Sequence, residues 1–173
     1  AATPPGAAGL VLLPYFLGEK TPIQDPAARG TFIGLGLHHT TGHLWRAALE
    51  AVCLGFRHHV EVAREIGYPV TRMIASDGGT KSRFWMQIAA SVLGMPVQLL
   101  AGHPGSCLGA AYVAAMGIGA LPDWQQMPRF VRPADTVEPE PAAIEVYDEV
   151  YGTYRATYEA LKPIYPRLQT FGG

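Results

Sequence analysis

The sequence predicts an α/β fold, a sheet with helices on its faces, and three observations predict it. Short apolar stretches alternate along the chain with stretches of helical period. One apolar stretch, Val70 to Ala75, stops at the pair Gly78-Gly79 and hands over to a helical pattern that begins at Arg83. The 173 residues are 49% apolar, which is enough for one domain with a sizeable core.

Taken in order, Ala1 to Gly9 reads as a loop of Ala, Pro and Gly. Leu10 to Leu17 is a short apolar run in which Pro14 argues against a central strand. Gly18 to Gly30 holds two Pro-based turns, and Thr31 to Leu35 is extended. Thr40 or Thr41 caps the longest helix, His43 to Ile66. Its small residues Ala47, Ala48, Ala51 and Gly55 let another element approach closely, and Gly67 with Pro69 stops it. After the glycine pair a helix runs from Arg83 to Leu93, and Pro96 to Leu100 is a strand. His103-Pro104-Gly105 shapes a turn before a small-residue helix, Cys107 to Met116, apolar enough to be sandwiched. Leu121 to Pro141 reads as an irregular connection. Ala142 to Lys162 is a final helix, with Tyr147, Tyr151, Tyr154 and Tyr158 spaced for packing.

Composition limits the function classes. Charged residues make up 16% of the chain, against about a quarter in ordinary soluble domains. Part of the surface is therefore expected to be covered by another domain or partner. A net charge of −1, evenly spread, gives no footprint for nucleic acid or an anionic membrane. No apolar run has the length of a membrane span, and the opening residues lack the charged start and apolar core of a signal peptide. Cys53 and Cys107 sit in apolar, helical contexts and are expected to be buried thiols of a reducing, cytoplasmic compartment. The chain opens without Met and reads as a piece of a longer protein.

The stretch Ile74 to Ser82 is the candidate for chemistry, although a lone glycine pair is a weak motif and a plain strand-to-helix turn accounts for it equally simply. A strand, a glycine turn and a helix bring backbone close to a ligand and turn unpaired N–H groups toward it. Gly78 and Gly79 lack the Cβ that would keep a flat or charged ligand away. Thr80 and Ser82 place hydroxyls at the helix start, where the alternative reading is a plain N-cap with no ligand. Other candidates are weaker. His39 and His43 share a helical face as a metal pair would, but no third ligand follows, and helix-start polar residues account for them. His58 and His59 are adjacent, so at most one turns inward. Glu19, Lys20 and Arg29 are either solvated loop charges or part of a loop that closes on a cleft. Trp85, with Phe84 and Met86, reads as core.

Four ordered blocks resemble the FGGY carbohydrate kinases. Gly30-x-Phe32-x-Gly34-Leu35, seven residues, then His43-Leu44-x-x-Ala47-Ala48-Leu49-Glu50 is similar to that family's C-terminal signature. Leu13-Pro14-Tyr15-Phe16-Leu17-Gly18-Glu19-Lys20-Thr21-Pro22 resembles its LPYLSGERTP block. Asp77 to Gln87 resembles GGGxxxPLWxQ, and Leu108-Gly109-Ala110-Ala111 resembles LGAA.

The resemblance implies a ribonuclease H-like, actin-like ATPase fold, of which residues 1–173 are the C-terminal, nucleotide-side domain. Within it, 1–30 are opening loops, 31–120 the α/β core, 121–141 the connection and 142–173 the terminal helix and tail. It implies an ATP- and Mg²⁺-dependent kinase that phosphorylates a pentulose or polyol, xylulose first. Gly78, Gly79, Thr80, Ser82 and Arg83 then fall on the nucleotide side. Arg83 stands where the family commonly has Pro, and Asp77 where many members have Gly. The general base, an aspartate, belongs to the N-terminal domain, as do most sugar contacts, so no catalytic residue and no metal ligand is expected in this chain. Taken alone it is expected to bind ATP or ADP weakly and not to catalyse. A homodimer is a further expectation of the same reading. Two alternatives stand beside it: an actin-like nucleotide-binding module with a regulatory or scaffold role, and a purely structural α/β domain that pairs with itself.

Overall fold

Thr40 opens the longest element of the computed structural model, helix α1 (Thr41–Glu65). The backbone N–H of Thr40 donates to Nδ1 of His43 at 3.1 Å, which completes a capping box and gives His43 a helix-start role. Gly67, at φ 86°, closes the far end. The structure describes residues 3–102 and 105–171. His103 and Pro104, the turn expected before the small-residue helix, lie outside the described residues, as does the start of the Ala1–Gly9 loop.

Ahead of α1, β1 (Val11–Leu13) and β2 (Thr31–Ile33) pair antiparallel, Leu12 opposite Phe32. Beyond it, β3 (Met73–Ala75) leads through a 3-10 turn, Gly78–Lys81, into α2 (Arg83–Leu93) and then β4 (Val97–Leu100). β3 and β4 are parallel, with Ile74 opposite Gln98, and α2 is the crossover that parallel pairing needs. α3 (Ser106–Gly117) follows, then a 3-10 segment, Trp124–Phe130, and β5 (Pro133–Val137), antiparallel to β4. α4 (Pro141–Leu161) and α5 (Tyr165–Gln169) end the chain.

The small residues of α1 do what their size allows. Ala47 and Ala51 are buried against Ala7, Leu10 and Leu12, so the coil Pro5–Gly9 and β1 lie directly on the helix. Side-chain alternation splits the sheet. Met73, Ala75, Val97, Leu99 and Val137 face the main core with Ile88, Val92 and the buried tyrosines of α4. Ile74, Gln98 and Leu100 face the other way, into an open groove of about 590 Å³ shared with Trp124, Met127 and Pro128. The tyrosine stripe is core: the Tyr15 and Tyr154 hydroxyls meet at 2.7 Å, and Tyr158 donates to Asp25 at 2.9 Å. Arg57 joins three helices, pairing with Asp148 at 2.7 Å, lying over the Tyr151 ring and donating to the Val92 carbonyl at 3.4 Å.

Four expectations change. The connection over 121–141 contains β5, an edge strand exposed along most of its length that begins at Pro133, the position in a strand where a missing N–H costs least. α3 is not sandwiched: among its described residues only Tyr112 is buried, stacked on Trp124. Cys107 consequently is exposed, whereas Cys53 is buried as expected. Phe84 is exposed as well, with the Arg46 guanidinium over its ring, while Met86 is core.

Candidate functional site

Both parallel strands end at the same edge of the sheet, so the β3–α2 turn and the residues directly after β4, Ala101 and Gly102, stand side by side. Open α/β sheets bind ligands at this place, beyond the carboxyl ends of parallel strands. Here the two connections enclose a cleft of about 410 Å³ lined by Asp77, Gly78, Thr80, Lys81, Leu100 and Gly102.

The turn is built from its own backbone. The Thr80 N–H and hydroxyl both donate to the Asp77 carbonyl, at 3.2 and 2.7 Å, and the Ser82 N–H donates to the Gly79 carbonyl at 3.2 Å. The two glycines have different jobs. A Cβ on Gly79 would sit 3.3 Å from the Trp85 ring, so this glycine lets the turn rest on α2. A Cβ on Gly78 would meet nothing within 4 Å, so Gly78 is the open floor of the cleft. Trp85 is held in turn by its indole N–H, which donates to the Leu49 carbonyl of α1 at 3.1 Å. Behind the turn an apolar cavity of about 340 Å³, lined by Val52, Phe56, Ile74, Trp85 and others, shares Gly79 and Thr80 with it.

Of the residues the sequence singled out, Gly78 and Thr80 line the cleft and Gly79 backs it. Ser82 is the N-cap of α2, its hydroxyl accepting from the Trp85 N–H at 3.2 Å. Arg83 makes an ion pair with Asp135 of β5, and neither Ser82 nor Arg83 lines the cleft. Sequence reasoning missed Lys81, Leu100 and Gly102. The signal available for them was the parallel pairing of the strands, which brings two distant loops to one edge.

The cleft carries one negative and one positive side chain, Asp77 and Lys81. Together with the amides of the turn they suit a ligand with both a polar and an anionic part. The other three aspartates outside α4 have structural work, Asp135 in its pair with Arg83. Asp25 accepts from the N–H groups of Ala27 and Ala28 at 2.9 and 3.1 Å as well as from Tyr158, and Asp123 caps the segment Trp124–Phe130. The loop charges serve their own loop too: Glu19 accepts from the Lys20 and Thr21 amides, and Arg29 donates to the carbonyls of Pro26, Ala27 and Ala28. His39 bonds within its own turn, Nδ1 accepting from the Gly36 N–H at 2.8 Å.

A depression of about 300 Å³ on the far side of α2, lined in part by Arg46, Phe84 and Tyr147, covers a buried polar network. Burial pushes the Glu50 carboxyl upward there, against the downward pull of Arg46 and the other donors. Burial likewise raises the Tyr147 hydroxyl well above its usual range. Among the described residues no helix is long and apolar enough to cross a membrane.

The profile of the FGGY family of carbohydrate kinases, C-terminal domain, matches residues 1–118. A xylulose kinase of Staphylococcus epidermidis is 31% identical over 171 residues, 98% of this chain and 34% of that protein. A glycerol kinase of Trichlorobacter lovleyi is 35% identical over 130 residues, 75% of this chain and 26% of that one. The crystal structure of xylulose kinase from Rhodospirillum rubrum superposes with a TM-score of 0.80 at 55% identity, covering 94% of this chain and 33% of that one. The chain thus spans about a third of the length of the curated relatives it matches. Its α/β architecture is that of the actin-like C-terminal domain, and the chain belongs to the FGGY family of carbohydrate kinases.

Proposed function

We propose that this chain, as one domain over residues 1–173, is the nucleotide-binding part of a sugar kinase that transfers the γ-phosphate of ATP to a hydroxyl of a pentulose or polyol, with xylulose the first choice. The observation that carries the reading is the cleft where β3 and β4 end, floored by Gly78 and flanked by Lys81 and the amides of the turn. A ligand with a flat base and a polyphosphate fits that donor set: an open glycine floor, a cation and helix-start N–H groups. The resemblance to proteins named xylulose kinase, found in both sequence and structure, supports the choice of sugar.

The nucleotide supplies the phosphoryl group and, with Mg²⁺, the charge neutralisation that phosphoryl transfer requires. This chain's residues do the holding. Gly78 admits the ligand, Thr80 fixes the turn, Ser82 fixes the start of α2, and Lys81 supplies positive charge. Among the described residues no three His, Cys, Asp or Glu side chains converge to hold a metal. The general base and the sugar contacts belong to the rest of the protein, in the cytoplasm where ATP is supplied. Trp45, Val52, Phe56 and Ile74 are exposed on α1 and on the edge strand β3, which agrees with a surface that another part of the protein covers.

Calorimetric titration of the chain with ADP, followed by a panel of pentuloses, polyols and glycerol with ATP on the intact protein, tests the reading. Saturable ADP binding and turnover of one sugar are expected. Binding without turnover of any sugar would favour a regulatory nucleotide module, and no binding would overturn the assignment.

A further inference from the structure

Asp77 is the one described non-glycine residue outside the coil Pro5–Gly9 with positive φ: φ 72° and ψ −160°, a region that side chains avoid and glycine occupies freely. A carboxylate side chain at such a position is costly, and it persists only where the surroundings hold it there. Its surroundings do hold it, from both sides of the cleft. On the β3 side the Asp77 carbonyl accepts both donors of Thr80, and the Ser76 hydroxyl donates to Oδ2 at 3.2 Å. On the other side the carboxylate lies directly against buried Gly105, the residue that caps α3, where a Cβ would overlap its oxygens. Gly105 is doubly constrained, by this contact and by its own φ of 63°. One residue therefore holds two elements at this edge of the sheet, its main chain the β3–α2 turn and its side chain the start of α3 at Gly105. A negative group at the start of a 12-residue helix is also favourably placed against the helix dipole. The protein's own carboxylate thereby fills that end of α3.

We propose that Asp77 is a positioning residue for the nucleotide: its carboxylate ties the start of α3 to the glycine turn and sets the width of the cleft. The proposal rests on the reading that this cleft takes ATP. It assigns the anionic part of the ligand to Lys81 and the turn amides, and not to α3.

The test compares Asp77→Gly and Asp77→Asn in the intact protein. Glycine relieves the backbone and removes the tether, so the melting temperature should not fall. Hydrogen exchange at the amides of Ser106 to Leu108, measured without nucleotide, should quicken about tenfold, as expected when the group packed against a helix start is lost. The KM for ATP should rise by about tenfold, with the change falling on that constant rather than on kcat or on the KM for sugar. Asparagine, of the same length, should recover most of both effects. Unchanged exchange in Asp77→Gly would overturn the tether. Quickened exchange with an unchanged KM for ATP would overturn the positioning role and leave a purely structural contact. Failure of the kinase reading looks different: the wild-type protein itself would bind no ADP, while the exchange measurement still decides whether the tether exists.

Discussion

The hydroxyl of Tyr147 donates to Oε1 of Glu50 at 2.8 Å, between α4 and α1, where both residues are almost wholly withdrawn from solvent. The same oxygen accepts from Arg46 Nε at 2.7 Å and from the Gly6 N–H at 3.0 Å. Arg46 reaches on to the Thr3 carbonyl at 2.7 Å. A single carboxylate thus binds the N-terminal coil to both long helices.

Removing that carboxylate's charge should cost far more than removing one of its donors. Glu50→Gln leaves the Arg46 guanidinium buried without its counter-charge, and a loss of about 3–5 kcal/mol is expected for a broken buried pair. Tyr147→Phe removes two hydrogen bonds, the one donated to Glu50 and the one its hydroxyl accepts from Arg46 Nη2 at 3.0 Å, and should cost about 1–3 kcal/mol. Urea denaturation of both variants checks the ordering. Equal losses would mean that Arg46 is solvated in the variant and that the pair is not truly buried.

Ala8 gives a prediction of opposite sign. It is exposed and sits at φ 56°, ψ 38°, a left-handed conformation that a Cβ penalises. Ala8→Gly removes the clash but loosens the unfolded chain, and the first effect is the larger, so stability should rise by up to about 1 kcal/mol. Thermal unfolding of Ala8→Gly beside Ala8→Val, which must lose stability, reads this directly.

The two glycines of the turn should separate binding from stability. Gly78 has open space where its Cβ would stand, and Gly79 has the Trp85 ring at 3.3 Å. Gly78→Val should leave the melting temperature near wild type and weaken ADP binding by about tenfold or more, because the branched side chain fills the cleft floor. Gly79→Ala should lower the melting temperature first, because the Trp85 ring must give by a few tenths of an ångström to admit a methyl group. Calorimetry and thermal unfolding on both variants distinguish the roles, and a reversal of the two phenotypes would place the ligand on the Trp85 side of the turn.

What the sequence made legible were features fixed by neighbouring residues. The bounds of α2, Arg83 to Leu93, follow from Ser82 as cap and Gly94 in the left-handed region, both local. The small face of α1 and the tyrosine stripe of α4 are periodic and could be read off spacing. What escaped depends on residues far apart in the chain. β5 owes its existence to β4 rather than to its own composition, since Pro133 and Asp135 argue against a strand until a partner is present. The exposure of Cys107 and Val113 follows from what does not cover α3, which no local pattern records. Half of the cleft was visible in Gly78-Gly79-Thr80. The other half, Leu100 and Gly102, becomes part of it only because β3 and β4 run side by side.

His58 gives the protein a pH dependence. It is 4% exposed, whereas His59 stands in solvent with Nε2 3.0 Å from the Thr21 hydroxyl. Burial, with added repulsion from Arg155 and His59, pulls the His58 pKa down to about 4. The Nε of Arg155 is itself buried with no hydrogen-bond partner among the described residues. An imidazole that titrates near 6.5 in the unfolded chain binds its proton there sooner than in the fold. The stability tied to neutral His58 is therefore complete above about pH 6.5 and is lost as pH falls toward 4, a span worth on the order of 3 kcal/mol. Denaturation midpoints measured between pH 7.5 and about 4.5 should fall steeply in the wild type and less steeply in His58→Leu, which cannot charge. Parallel curves for the two proteins would assign the acid sensitivity to the carboxylates instead.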